Sequence, residues 1–250
     1  MTTIKELLNR PERFIAIWGY PEPTVLNEVQ QKYPNHYFID LDINYNAIST
    51  GIIPEAYCKI IKNLINNSFA LRDKIDLIVA STGEEKCDSG RFAYKILKDT
   101  GFNIISTTFT EYEDIPHQTP ISESTLPLKD KIITIMDNIL LKNTYNLEKS
   151  NAKFGFWGVP PNDLSILDLF PNETHVFGWT RCVEAKRPAD LDIELMVNPE
   201  IPTVFFSQTF CAKMQLAKYL ADKYNGLYVD ADDIASNSVK AKIEAFLRLR

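Results

Sequence analysis

Several features that would point to familiar functions are missing from this 250-residue sequence. No window approaches the ~20 apolar residues needed to span a bilayer, and the opening Met1-Thr-Thr-Ile-Lys-Glu-Leu-Leu has no basic stretch followed by an apolar one. The expectation is a cytoplasmic chain with neither leader nor membrane anchor. Positive charge is not in excess: the net charge of −6 argues against a nucleic-acid binder that relies on neutralising phosphates. Histidine is scarce, with His36, His117 and His175 only, so a Ser/His/Asp triad is hard to assemble and a zinc-hydrolase cluster has no support. There is no GxGxxG and no GxxxxGK[ST]. The turns GYPEP and GVPP do not replace them, because proline removes the amide donors that would cradle a phosphate. Nor is there a CxxC pair. In a reducing compartment the four scattered cysteines, Cys58, Cys87, Cys182 and Cys211, are not a disulfide framework, which leaves core filler, reactive thiols or metal ligands.

What is present is ordinary globular composition, 45% hydrophobic and 24% charged, carrying an internal repeat. Residues 13–41 lie over 152–180 without a gap: Trp18 meets Trp157, Gly19 meets Gly158, Pro21 meets Pro160, His36 meets His175 and Phe38 meets Phe177. RFIAIWGYPEP and AKFGFWGVPPN each read as an apolar strand, Trp-Gly and a proline turn, then a helix of about three turns. A second strand follows, HYFIDL or HVFGWT, then DLIVAST (76–82) or TVFFSQT (203–209), and finally FNIIST (102–107) or GLYVDA (226–231). Near-continuous apolar strands alternating with helices predict parallel sheets covered on both faces. The expected fold is α/β, with two duplicated Rossmann-like three-layer units whose sheets face a central cleft. Residues 1–110 form the first lobe, 111–150 a polar connector with a helix from Leu128 to Asn143, and 151–250 the second lobe, closed by an amphipathic helix over Ser238–Arg250.

In such sheets ligands bind beyond the carboxyl ends of the strands. Cys87, Cys182 and Cys211 all follow strands, whereas Cys58 sits on the apolar side of EAYCKIIKNLI and reads as core. Three thiolates near helix N-termini suit an iron–sulfur cluster with one open iron, and three small residues near turns are the plain alternative. Trp18 and Trp157 could stack on a flat ligand or simply pack beneath a proline turn. Ser81 and Ser207 end equivalent strands, able to approach a ligand or to cap a helix. Glu84 and Glu85 could do acid–base work or belong to a solvated loop. His36 and His175 begin strands, away from the expected cleft, and read as structural. Asp230, Asp232 and Asp233 read as helix-capping before cation-binding.

Residues 155–187, GFWGVPPNDLSILDLFPNETHVFGWTRCVEAKR, resemble the second lobe of 2-hydroxyacyl-CoA dehydratase and benzoyl-CoA reductase subunits, with Cys182 shortly before Arg187. LIVASTGEEKCDSGRF resembles the family's first-lobe Cys-Asp segment at Cys87, Asp88 and Arg91, and FFSQTFCAKMQLAKYLADKYNGLYVDADD its last strand-Cys-helix segment. The resemblance implies a [4Fe–4S] cluster held by Cys87, Cys182 and Cys211. It also implies an ATP-hydrolysing electron donor, a dimer with itself or a related subunit, and a small organic substrate, an acyl-CoA in the family. Catalytic roles would then fall to Ser81, Glu84 and Ser207, and substrate contacts to Trp18, Trp157, Arg91 and Arg187, with Lys186 adding positive charge. Two departures stand out: family subunits are longer, and Cys211 is followed by Ala-Lys-Met without the Asp and His often found there. A cluster-free small-ligand binder on the same duplicated fold is the alternative, and a transferase or isomerase with Cys87 or Cys182 as nucleophile is a third reading.

Overall fold

The computed structural model describes residues 2–83, 86–108, 119–141 (backbone only at 140 and 141), 145–187 and 189–250. The chain forms two units, Met1–Glu111 and Tyr112–Arg250.

The first unit opens with α1 (Ile4–Leu8), capped by Thr3 and Glu6 in a reciprocal capping box. β1 (Phe14–Trp18) is buried along its whole length, as a central parallel strand must be. Pro23 then starts α2 (Pro23–Lys32), because its fixed φ suits a first turn and its missing N–H costs nothing there. β2 (Tyr37–Asp40), α3 (Lys59–Ala70), β3 (Ile75–Ser81), α4 (Asp88–Asp99) and β4 (Ile104–Thr107) follow. The strands pair in the order β2-β1-β3-β4, all parallel. Cys58 does not lie within a helix: it is the residue before α3, its backbone still extended, and it is buried.

The second unit contains α5 (Leu128–Leu141), which packs against other elements of that unit, then β5 (Phe154–Gly158) and β6 (Thr174–Phe177). Next come α6 (Trp179–Glu184), α7 (Leu191–Leu195), β7 (Thr203–Gln208), α8 (Met214–Lys223), β8 (Leu227–Ala231) and α9 (Asn237–Leu249). Its sheet has the order β6-β5-β7-β8, again all parallel, so the repeat in the sequence is a repeat of topology. Phe156, Phe206 and Phe170 centre the core, Phe156 stacking on Phe206 and meeting Phe170 edge-on. The amphipathic terminal helix adds Ile243 to that core, with Val239, Phe246 and Leu247 around it. Among the described residues, no helix is long and apolar enough to cross a membrane.

The two units differ in two local respects. Where the first has the three-turn α2, the second has a short 3-10 helix, Leu164–Leu169, capped by the Asp163 side chain and cut off by Pro171. The strand expected over 175–180 stops at Phe177, because Gly178 turns into the left-handed region (φ 74) and starts α6. A Cβ on Gly178 would lie 2.8 Å from the Trp157 ring, so the turn needs glycine for space as well as for φ. Cys182 consequently lies inside a helix. We expect Phe156→Ala to destabilise the second unit by about 3–5 kcal/mol, read from urea unfolding, since it empties the middle of an aromatic cluster.

Candidate functional site

At the carboxyl edge of the first sheet, β1 gives way to Gly19 and β2 to Asp40-Leu41-Asp42. The Gly19 amide, with φ 66, donates to Asp42 Oδ2 at 2.8 Å, and the Asp42 amide donates to Asp40 Oδ1 at 2.8 Å. Asp42 Oδ1 is buried and has no hydrogen-bond partner among the described residues. The Lys86 side chain lies over Gly19 so closely that a Cβ there would collide with its Cε and Nζ. Burial raises the Asp40 carboxyl to about 8, with the Asp42 carboxylate adding to the rise and Lys86 opposing it. Burial raises Asp42 as well, against Lys86 and the Gly19 amide. The pair therefore retains a proton near neutral pH and can both donate and accept hydrogen bonds, the condition for proton exchange with a bound ligand. Sequence reading missed Asp40, Asp42 and Lys86. Two aspartates closing an apolar strand at the ligand-binding end of a parallel sheet were the available signal.

The other residues expected here are placed as follows. Ser81 ends β3 and is wholly buried. Glu84 and Glu85 lie outside the described residues. Cys87 is exposed and is the N-cap residue of α4. Arg91 is largely solvent-exposed, 3.9 Å from Asp88. Trp18 is not positioned to stack on a ligand: it is 1% exposed, and its indole N–H donates to the Ser81 carbonyl at 3.1 Å. His36 pairs with Asp76 at 2.7 Å at the amino edge of the sheet, where Arg13 binds the same carboxylate.

In the second unit, Trp157 is also wholly buried, against Phe205, with its N–H donating to the Glu194 carbonyl at 2.7 Å. Both tryptophans are thus core residues, since a large ring at the end of a central strand buries more apolar surface inward than a ligand could cover. Ser207 is wholly buried too, its hydroxyl 3.2 Å from that of Tyr228. Cys211 follows Phe210, which is held at φ 61, a strained conformation for an aromatic residue. Cys182 is buried, with Sγ 3.5 Å from the Asp190 carbonyl; burial first, then the Glu194 carboxylate, pushes its thiol up to about 12. Glu194 itself is inaccessible, and Lys213 Nζ donates to both of its oxygens at 2.6 Å. Lys213 is two residues past Cys211, so this ion pair draws the Cys211 and Cys182 segments into one neighbourhood. Arg187 borders a cavity beside β6. His175 bonds to Ser150, a structural role. Among the described residues, no three His, Cys, Asp or Glu side chains are grouped to hold a metal ion.

No family model matches the sequence, and no curated protein matches it. Among solved structures, the chain is similar to pyrophosphate-dependent phosphofructokinase from Marinobacter aquaeolei, with 13% identity and a TM-score of 0.23. The match covers 93% of this chain and 64% of that one, less than two thirds of that protein's length. At that level of superposition the likeness carries no functional inference.

The raised Asp40 carboxyl has a measurable consequence. Between about pH 4 and about pH 8 the folded chain keeps a proton that the unfolded chain has released, so stability falls as pH rises through that window. Asp40→Asn removes this slope. At pH 8 its thermal melt should lie several degrees above that of the wild type, while at pH 4 the two should nearly coincide.

Proposed function

We propose that this chain is an iron–sulfur redox protein acting on a small organic substrate, with Cys87, Cys182 and Cys211 as ligands of a [4Fe–4S] cluster. The observation that carries the reading is the equivalent placement of Cys87 and Cys211. Each lies between the third strand of its unit and the following helix, β3 and α4 in one, β7 and α8 in the other. Duplicated thiols at the ligand-binding ends of parallel strands are the placement expected of a shared chemical role rather than of core filler. The donor set fits the group: three soft sulfurs, one at a helix N-terminus, leave one iron for substrate or solvent. Cys182 is protonated as it stands, and ligation would displace that proton, because a coordinating thiol loses it outright.

When bound, such a cluster supplies single electrons. The chain's own residues would then bind the substrate and exchange its protons, with Asp40 and Asp42 as the proton-holding pair and Lys86 stabilising negative charge beside them. The family resemblance adds an ATP-hydrolysing partner as electron source and a dimer, with itself or with a related subunit.

The test is iron and acid-labile sulfide per chain after anaerobic purification. We expect a brown protein with about four irons, falling at least twofold in Cys87→Ala and in Cys211→Ala. A colourless, folded wild type that takes up no iron on reconstitution would overturn the reading. That outcome would leave a cluster-free small-ligand binder, which the unpartnered Asp42 oxygen beneath Lys86 favours on its own account.

A further inference from the structure

The carboxyl end of the first sheet has unfilled hydrogen-bonding capacity around one residue, Gly19. In the order β2-β1-β3-β4 the chain leaves β1 toward one side of the sheet and comes back to β3 on the other, and such a reversal is where parallel sheets take ligands. Gly19, directly after β1, stands at that reversal. Its amide donates to Asp42 Oδ2, and the end of the Lys86 side chain, arriving from the loop after β3, lies over its bare α-carbon. A Cβ there would also come within 3.1 Å of the Cβ of Ser81, the last residue of β3. One carboxylate and one ammonium are thereby brought to the same glycine.

Neither group is satisfied there. Asp42 Oδ1 is buried and has no hydrogen-bond partner among the described residues. Lys86 acts on Asp40 and Asp42 through its field, without an ion pair to either among the described residues. A second buried carboxylate oxygen lacking a partner among the described residues, Glu22 Oε2, belongs to the loop leaving β1. That loop runs to the far side of the sheet, where the Glu22 amide donates to the hydroxyl of Thr107 at the end of β4 (3.3 Å). A group between Asp42 and Lys86 must donate to a carboxylate oxygen and accept from an ammonium. A hydroxyl does both. An ammonium only donates and would meet Lys86; a carboxylate only accepts and would meet Asp42. Charge leads to the same answer. The aspartate pair, retaining one proton, and Lys86 nearly cancel, so a neutral group enters without stranding a charge.

From this geometry we infer that the sheet edge at Gly19 binds a neutral sugar, one hydroxyl bridging Asp42 Oδ1 and Lys86 Nζ and a further hydroxyl donating to Glu22 Oε2. Two orphan acceptors, one at the β2 side and one toward β4, call for a polyol rather than a simple alcohol. The inference rests on the reading above that this edge faces the substrate, and it names that substrate's class. It needs no iron, so binding to the iron-free chain tests it apart from the cluster.

The experiment titrates D-glucose and D-ribose into the intact chain by isothermal calorimetry, with and without iron, beside D-glucuronate and D-glucosamine as the matched acid and amine. Saturable binding of a neutral sugar at one site per chain is expected, at least about tenfold tighter than either charged analogue, the margin a charge-assisted hydrogen bond provides. Asp42→Asn keeps an acceptor for the Gly19 amide and puts an N–H donor where the orphan oxygen stood, so sugar affinity should fall at least about tenfold. Lys86→Met keeps an apolar stem across Gly19, removes the ammonium and should weaken the sugar similarly. Thermal melts verify folding, and if Asp42→Asn does not fold, Lys86→Met decides. No saturable binding of either neutral sugar, a charged analogue bound as tightly, or full sugar affinity in a folded variant would each overturn the inference. An iron-free wild type that still binds sugar would sink the cluster alone.

Discussion

An indole N–H sealed inside a protein needs an acceptor, since leaving it unpaired costs about 1–3 kcal/mol. Each unit buries one tryptophan at the end of its first strand, and the two units satisfy it differently. Trp18 donates to the carbonyl of Ser81 on the adjoining strand. That bond stays within the sheet and leaves the ends of β1 and β2 to Gly19, Asp40 and Asp42. Trp157 reaches instead to the carbonyl of Glu194. That bond draws α7 against the sheet and with it the Glu194 carboxylate, which then takes Lys213 as its counter-ion. From one duplicated residue, therefore, one unit acquires a carboxylate pair at its sheet edge and the other an inaccessible ion pair beside a thiol.

Both arrangements place charge where water is scarce, and each is compensated in its own way. In the first unit the repulsion between Asp40 and Asp42 is relieved by retaining a proton, helped by an ammonium overhead. In the second, Glu194 is neutralised by a bidentate lysine, and removing either partner would strand the other charge in the interior. The Cys182 thiol feels that carboxylate and stays protonated. Proton inventory is thus a property of the sheet edges rather than of isolated residues.

Much of the architecture was legible from spacing. A constant offset linking two Trp-Gly pairs, with apolar runs in the same order after each, predicts the duplicated parallel sheets because burial on both faces leaves strands no polar alternation. Local departures were less legible. Nothing in HVFGWT announces that Gly178 would end the strand; the cause is the Trp157 ring packed against its α-carbon, a tertiary contact. The carboxylates at the end of HYFIDLD were not singled out, since their effect depends on Lys86, more than forty residues away, folding back across Gly19. The tryptophans invited a ligand-facing reading because ring size is visible in a sequence while the direction of the ring is not.

The bare α-carbon of Gly19 has an implication for how charge is inherited in this fold. Any side chain there would evict the lysine end that lies across it, and two carboxyls would lose their nearest cation without any ionisable group being changed. A hydrogen atom at one backbone position thereby acts as an electrostatic determinant. A drift from Gly19 to alanine would alter acidity at Asp40 and Asp42 as surely as replacing the lysine itself.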